Sequence, residues 1–203
     1  MDQKRALKQM RFMKKHSKHM PLAAEDWNSP WKILISTILS ARTRDEVTIP
    51  VSKELFIRYP DVEALSKARL GVVEEIIRPI NFYRNKSENI INCAKMLVKD
   101  YGGEVPLKEE ELVELPGVGR KTTNVFLSEV GEEGIGVDTH VSYISQKLNW
   151  TKNVNPDKIE EDLKGLFKKS NWNKINPILV RFGKTHTSRK KKDVLLEEIM
   201  GIK

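Results

Sequence analysis

The sequence is poor in cysteine and in long apolar runs. Its 203 residues include one cysteine, Cys93, which excludes a disulfide within the chain and any metal site made of several cysteines. No apolar stretch approaches the roughly 20 residues that a membrane-spanning helix needs. The N-terminus lacks the apolar core and the small-residue cleavage site of a secretory signal. These absences predict a soluble intracellular protein with no membrane partner.

Positive charge is in excess, but the excess lies at the two ends of the chain. The net charge is +8, from 36 Lys and Arg against 28 Asp and Glu. Residues 1–20 hold seven basic residues and one acidic residue, and residues 184–203 hold six and three. The densest run is "SRKKK", Ser188–Lys192. It is either solvated surface or a face that binds a polyanion. The second interpretation is favoured if both termini share one side of the fold.

Helical signals dominate the chain, with no internal repeat and no Gly/Ser-rich linker. Ser29 and Pro30 are typical of a helix cap and first turn, and the apolar residues 31–39 that follow predict a buried central helix. Thr43 and Glu46 have the spacing of a capping box, which predicts that another helix begins there.

A further helix is predicted over residues 87–101, where an apolar stripe ends at paired glycines. The stripe consists of Ile90, Ala94, Leu97 and Tyr101. Cys93 lies in the same helix and is expected to be a small buried thiol. Only "GIGV", residues 134–137, has an extended pattern, and it is too short to form a sheet. The prediction is therefore an all-α protein of about ten short helices.

The most informative stretch is "LPGVGRKTTNVF", residues 115–126. A short amphipathic helix over residues 109–115 leads into a tight turn, and a second helix follows over residues 120–130. Gly117 and Gly119 suit either a backbone conformation that other residues avoid or a close approach by another molecule. The N–H groups that begin the second helix can then bind an anion. The alternative is an ordinary corner between two helices with no ligand.

Lys121 has an unusual place directly after this turn. The positive end of a helix dipole disfavours an ammonium group, so either Lys121 reaches a bound anion or the unfavourable placement is useful for chemistry. Seventeen residues further on, "GVDTHV" places Asp138 where it can cap a helix that begins at Thr139. For His140, which follows, a structural hydrogen bond is the expected role.

Five segments together resemble the endonuclease III family of DNA glycosylases. They are "PWKILISTILSARTRD", "NFYRNKSENI", "GGEVP", "LPGVGRKTTNVF" and "GVDTHV". The resemblance covers about residues 28–187 nearly without gaps, so it does not depend on a single motif. It implies a two-lobed all-α fold with a helix-hairpin-helix at about residues 109–130. One lobe would be a six-helix barrel over residues 23–133, and the other a helical domain made of residues 1–22 and 134–203.

The resemblance also implies a function. It is that of a base-excision-repair DNA glycosylase with an abasic-site lyase (β-elimination) activity on oxidised pyrimidines in duplex DNA. By the same resemblance, Lys121 is the nucleophile that attacks the sugar C1′ and forms a Schiff base, and Asp138 stabilises the positive charge that develops on the sugar. The attacking amine must be neutral, which a lysine in water is not at neutral pH.

The resemblance further implies residues that contact DNA. Arg42 matches the family's gap-filling glutamine, and Phe82 matches the wedge that probes the opposite strand. The alternatives are that Arg42 is a surface charge and Phe82 a core residue. The residues expected to contact DNA are Arg42, Phe82, Gly117, Val118, Gly119, Arg120, Arg189, Lys190, Lys191 and Lys192.

One departure from the family concerns its cofactor. Most members carry four C-terminal cysteines that hold an iron–sulfur cluster, whereas this chain has Thr187 at the first ligand position and no cysteine after it. We therefore expect no cluster and no other metal. Damaged double-stranded DNA is the expected partner of a monomer that is cytoplasmic and nucleoid-associated if the source is prokaryotic.

Two other functions remain open at this stage. Related enzymes remove uracil or thymine opposite guanine, and some of them lack the lysine, so Lys121 argues against this alternative without excluding overlapping substrates. A helix-hairpin-helix protein that binds DNA without catalysis is the second alternative. The presence of both Lys121 and Asp138 counts against it.

Overall fold

The computed structural model describes residues 2–202, and within this range it is all-α, with no strand. It contains twelve α-helices and one 3₁₀ helix, Lys169–Asn171, where about ten helices were expected. The α-helices are α1 Gln3–Lys15, α2 Pro30–Ser40, α3 Asp45–Arg58, α4 Val62–Ser66, α5 Leu70–Ile76, α6 Tyr83–Tyr101, α7 Glu109–Leu112, α8 Arg120–Glu129, α9 Thr139–Lys147, α10 Pro156–Leu166, α11 Trp172–Thr185 and α12 Arg189–Met200. None of these helices is long and apolar enough to cross a membrane.

The chain forms two compact units. The central unit is Pro21–Val130, and the terminal unit joins Met1–Met20 to Gly131–Lys203, so that both basic ends of the chain belong to one unit. The central unit holds α2 to α8 and the terminal unit holds α1 and α9 to α12.

Helix α2 is the centre of the central unit. It begins with Pro30 in its first turn, as the sequence predicts, and eight consecutive or nearly consecutive side chains from Trp31 to Leu39 are buried. It packs against α3, α6 and α8, which places the end of α2 beside the helices that carry the candidate site. Cys93 is fully buried in the same core, which confirms the prediction for this thiol.

The capping-box prediction at Thr43 is wrong. Helix α3 begins two residues later, with Arg44 at the cap position and no side-chain cap bond. The Thr43 hydroxyl instead accepts a hydrogen bond of 3.1 Å from the backbone N–H of Asn81. Asn81, 38 residues away in the chain, therefore uses the hydroxyl that was expected to cap a helix beginning at Thr43. The acidic first turn, Asp45 and Glu46, still complements the helix dipole.

The core of the terminal unit is held together by Gln9, a polar side chain that is completely buried. Its amide donates to the Ile199 carbonyl over 3.1 Å, and its carbonyl oxygen accepts from the indole N–H of Trp150 over 2.7 Å. Arg5 donates to the Ile202 carbonyl over 2.8 Å. These bonds tie α1 to the C-terminal segment, since buried polar groups are stable only when they are paired. Leu196 and Ile199 of α12 complete the apolar core.

Candidate active site and nucleic-acid interface

The hairpin between α7 and α8 is built around Gly117. This residue has a φ of +81°, in the left-handed region that favours glycine, and an alanine Cβ there would lie 2.9 Å from the Asn89 Cβ. The backbone N–H of Val118 closes the turn by donating to the Leu115 carbonyl over 3.0 Å. Gly117 is thus required by the fold of the chain itself.

Gly119 differs from Gly117, although both were expected to be special. Its φ is −108°, which any residue can adopt, and apart from its two neighbours in the chain no residue has an atom within 4 Å of the place where a Cβ would be. Nothing within the described chain therefore requires a glycine there, and the open space lies at the N-terminus of α8. Val118 between them is buried, so the contact with DNA that is expected at this residue would involve its backbone.

Lys121 is exposed at the second position of α8. Its helix has no acidic residue in the first turn and no side-chain cap, so the positive end of the helix dipole is not offset there. Arg120, the first residue of α8, lies with its Nε 4.0 Å from Glu109 Oε1. The first N–H groups of α8 and two consecutive basic side chains are therefore concentrated at one point, an arrangement that suits an anion.

Arg42 and Phe82 lie side by side in the central unit. The guanidinium carbon of Arg42 is 5.6 Å from the centre of the Phe82 ring. Both residues have positive φ, 58° and 61°, a conformation that few non-glycine residues adopt. Phe82 is 62% exposed, so the alternative that it belongs to the core is wrong. Two strained, exposed residues in contact form a small projecting edge.

Sequence reasoning missed Lys86, the most unusual side chain near this edge. It lies on α6, is only 6% exposed, and its Nζ donates to the carbonyls of Leu39 and Ala41 over 2.7 and 2.6 Å. Burial, together with the nearby charge of Lys121, lowers the pKa of Lys86 to about 8. A signal existed in the sequence, because Lys86 falls four residues before Ile90, on the apolar stripe of the helix.

Asp138 caps α9, as the sequence predicts. Its Oδ1 accepts a 2.8 Å hydrogen bond from the backbone N–H of Val141, and the side chain is half-buried. The bond fixes the carboxylate and leaves Oδ2 without a hydrogen-bond partner among the described residues of the terminal unit. Lys121 belongs to the central unit and Asp138 to the terminal unit.

His140 packs directly against α11 at Gly183. A Cβ at Gly183 would collide with the His140 ring, so the absence of a side chain at Gly183 lets the ring lie against the helix backbone. The ring therefore fixes the first turn of α9, two residues after Asp138. This packing agrees with a structural rather than a catalytic role for His140.

The basic run near the C-terminus forms the first turn of α12, and its four residues are not equivalent. Arg189, Lys190 and Lys191 are exposed, whereas Lys192 is buried, with its Nζ 5.8 Å from the centre of the Tyr143 ring. Burial lowers the pKa of Lys192. The expectation that Lys192 contacts DNA is therefore corrected, because its ammonium group packs on α9 instead.

Tyr143 of α9 links this helix to α12. Its hydroxyl donates a hydrogen bond to Asp193, and Lys147 Nζ lies 3.3 Å from the same carboxylate. The guanidinium of Arg189 lies over the Tyr143 ring at 5.3 Å. The hydrogen bond from Tyr143 is the largest cause that lowers the pKa of Asp193, and Lys147 and Arg189 act in the same direction.

The residues present do not fit the iron–sulfur cluster of the family. Such a cluster needs several thiolates, but burial raises the pKa of Cys93, the single cysteine, to about 12 and keeps it protonated in the core of the central unit. Thr187 is exposed between α11 and α12. Within residues 2–202 no group of three or more His, Cys, Asp or Glu side chains could hold a metal ion.

Comparisons with known proteins agree with this arrangement. Residues 35–169 match the HhH-GPD superfamily of base excision DNA repair proteins. Endonuclease III of Thermotoga maritima is 45% identical over 157 residues, 76% of this chain and 73% of the relative, and endonuclease III of Synechocystis sp. is 39% identical over 168 residues, 82% and 77% of the two chains. A trapped covalent intermediate of endonuclease III with DNA superposes with a TM-score of 0.83 at 32% identity, over 94% of this chain and 90% of that one.

The hairpin that leads into Lys121, the capping carboxylate of Asp138 and the all-α fold thus occur together with extensive sequence identity. The chain belongs to the endonuclease III family within the HhH-GPD superfamily of base excision DNA repair proteins.

Proposed function

We propose that this protein is a base-excision-repair DNA glycosylase that also cleaves at abasic sites, and that its substrates are oxidised pyrimidines in duplex DNA. The observation that carries the proposal is the exposed Lys121 at the start of α8, directly after the hairpin and without an acidic residue in the same turn. The covalent DNA intermediate of a structurally similar endonuclease III supports a nucleophilic mechanism.

Lys121 acts as the nucleophile. Its neutral amine attacks C1′ of the damaged nucleotide, the bond from C1′ to the base breaks, and the base leaves with the bonding electrons. The bound nitrogen then loses its protons and the C1′–O4′ bond breaks, with O4′ taking up a proton, so that the sugar ring opens and a Schiff base joins Lys121 to C1′. Loss of a proton from C2′ then expels the 3′ phosphate with the electrons of its bond to C3′, and this β-elimination cleaves the strand on the 3′ side.

Asp138 supplies the negative charge that this reaction needs. Its Oδ1 is occupied by the cap bond to Val141, so the carboxylate has a fixed orientation. Its Oδ2 is then available to stabilise the positive charge that develops on the sugar as the base leaves. The capping and electrostatic roles are compatible because each uses a different oxygen.

The DNA contacts fall into two classes. The backbone N–H groups of Gly117 and Gly119 and the side chains of Arg189–Lys191 bind phosphates, which positions the duplex without reading its sequence. Arg42 and Phe82 act on the bases: the projecting edge that they form fills the space left when the damaged nucleotide is extruded.

We also propose that the protein acts without an iron–sulfur cluster and as a monomer. In the terminal unit, the buried Leu196 and Ile199 and the Gln9 hydrogen bonds hold the C-terminal segment in place. Packing of α12 on α9 and α1 thus holds the C-terminal segment without a cluster, and the exposed residues of its basic first turn supply positive charge for DNA.

The test is reductive trapping. Borohydride should convert the Schiff base into a permanent crosslink between wild-type protein and a duplex that carries dihydrouracil or thymine glycol, and Lys121→Gln should form none while it still binds the duplex. Lys95→Gln, which removes an exposed lysine from α6, is the matched control and should crosslink like wild type. Asp138→Asn keeps a capping oxygen, so it should fold but lose about 100-fold or more in excision.

The outcomes separate the alternatives. Crosslinking by Lys121→Gln would mean that a different amine attacks. Excision of uracil or thymine opposite guanine, with no activity on the oxidised pyrimidines, would identify a mismatch glycosylase instead. Binding without cleavage of any duplex, abasic sites included, would leave a DNA-binding protein without catalysis.

A further inference from the structure

Lys86 is a buried cation whose bonds are concentrated on one short segment. Besides the carbonyls of Leu39 and Ala41, its Nζ lies 3.5 Å from the Thr43 hydroxyl. An ammonium group has three donors, so these three oxygens satisfy it completely. All of them lie within residues 39–43, which are 43 to 47 residues away in the chain.

These acceptors lie at and just beyond the C-terminal end of helix α2. The last carbonyls of a helix have no partner within the helix and carry the negative end of its dipole. Ala41 is the residue that follows α2, and Leu39 lies in its last turn. Lys86 on α6 thus caps α2 from outside and fixes the point at which the chain leaves that helix.

The chain turns immediately after this point, at Arg42. The turn is also held from the other side, because the Asn81 side chain donates to the Arg42 carbonyl over 2.5 Å and the Asn81 N–H donates to Thr43. The left-handed conformation of Arg42 is unfavourable by itself, so it persists only where its surroundings impose it. Lys86 and Asn81 are the groups that impose it.

The hydrogen bonds of Lys86 and Asn81 to residues 39–43 form a clamp. This clamp and the edge made by Arg42 and Phe82 come from the same two segments of the chain. Asn81 precedes Phe82, and Lys86 follows it within the first turn of α6. The bonds to residues 39–43 therefore hold Arg42 against Phe82 at the observed 5.6 Å. If either bond were broken, the two side chains could relax independently of each other.

We propose that Lys86 is a positioning residue for nucleotide extrusion, which acts by holding the Arg42 turn against Phe82 so that the two side chains enter the duplex as one rigid wedge. The inference rests on the proposed glycosylase function. A buried cation close to Lys121 is unfavourable for folding, as the lowered pKa of Lys86 shows, and an apolar residue could fill this part of the core. The clamp on the Arg42 turn explains why a lysine is there instead.

The variant that tests the proposal is Lys86→Met, which keeps the length of the side chain and removes its charge and donors. Lys95→Met makes the same change at an exposed position of α6 and is the matched control. Single-turnover cleavage is measured on two duplexes. One has dihydrouracil paired with guanine, which must be unpaired before reaction, and the other has a preformed abasic site, where no base pair has to be broken.

Lys86→Met should lose at least tenfold in rate on the paired substrate and less than threefold on the abasic duplex. In an Arg42→Ala background, the same substitution should add less than twofold, since the wedge is already lost. Asn81→Ala removes the other half of the clamp at an exposed position and should show the same preference, so the proposal stays testable if Lys86→Met does not fold. Lys95→Met should behave as wild type.

Equal losses on both substrates by a folded Lys86→Met protein would overturn the proposal, since Lys86 would then act on the reaction centre or on the whole site. Unchanged rates on both would overturn it as well. A wild-type protein that is inactive on the abasic duplex would instead contradict the proposed function, so the two failures are distinguishable.

Discussion

Substitution by alanine should have different effects at Gly117 and Gly119, the two glycines of the hairpin turn. Gly117→Ala forces an L-residue to keep a φ of +81°, which costs about 1–2 kcal/mol. Its Cβ would also lie 2.9 Å from Asn89 Cβ and 3.3 Å from Ile38 Cγ2, and overpacking of this kind costs about 1–3 kcal/mol more. The total, about 2–5 kcal/mol, is a large part of the about 5–15 kcal/mol by which a domain is usually stable.

Gly119→Ala meets no such obstacle. Its φ of −108° suits alanine, and apart from its chain neighbours no residue comes within 4 Å of the added Cβ, so the free energy of unfolding should stay the same or rise by about 0.4–1 kcal/mol. The methyl group instead enters open space at the N-cap position of α8, next to the N–H groups that are proposed to bind a phosphate. Loss of one hydrogen bond to a charged phosphate is worth about 1.5–3 kcal/mol, which is about ten- to a hundredfold in affinity for the duplex.

Two measurements separate the effects. Urea denaturation followed by circular dichroism gives the free energy of unfolding, and fluorescence anisotropy with a labelled duplex at fixed salt gives the affinity. Gly117→Ala should lose mainly stability and Gly119→Ala mainly affinity. A Gly119→Ala protein with native affinity would show that the hairpin backbone does not approach DNA. A Gly117→Ala protein with the native denaturation midpoint would show that the turn is not strained as described.

Three further predictions concern the cofactor, the basic turn and Lys86. Protein purified from iron-supplied anaerobic cells should lack stoichiometric iron, and elemental analysis that finds it would contradict the proposal of a cluster-free enzyme. Replacing Arg189–Lys191 by alanine should reduce the slope of log K against log salt by about 0.9 for each phosphate that the variant no longer binds; an unchanged slope would make the run plain solvated surface. Because the pKa of Lys86 is lowered to about 8, the unfolded state binds a proton that the folded state has released between pH 8 and 10.5. The free energy of unfolding should therefore contain a contribution that rises with pH across this window, and comparison with Lys86→Met should show that the contribution is gone.

The helices could be predicted because their signals are local. The apolar run after Pro30 gave the buried helix α2, and Asp138 before Thr139 gave the cap of α9, since both depend on residues within one or two turns. The glycine that follows Tyr101 takes a φ of +62° and ends α6, as the paired glycines predicted.

What the sequence could not predict depends on partners that are distant in the chain. Thr43 has good local capping chemistry, yet its hydroxyl is used by Asn81. Lys192 belongs to a run that looks uniformly exposed, yet the Tyr143 ring of another helix covers it. Lys86 interrupts an apolar stripe in the sequence, and its partner, the Leu39 carbonyl at the end of α2, lies beside it only in the folded protein. In each case the competing interaction exists only after the helices have packed.

The two helices that are proposed to bind phosphates, α8 and α12, begin with basic residues, a placement that the helix dipole disfavours. Helices α3 and α7 begin with acidic residues, as the dipole favours. Helix α8 begins with Arg120 and Lys121, and α12 begins with Arg189–Lys191, and neither has a side-chain cap bond or an acidic residue in its first turn.

Each basic residue in such a position costs about 0.3–1 kcal/mol in the protein alone. The cost becomes a gain when an anion binds, because helix dipole, backbone N–H groups and side-chain cations then all attract the same charge. The basic first turns of α8 and α12 are therefore best explained by the phosphates that the protein is proposed to bind, and at α8 the same turn carries the proposed nucleophile, Lys121.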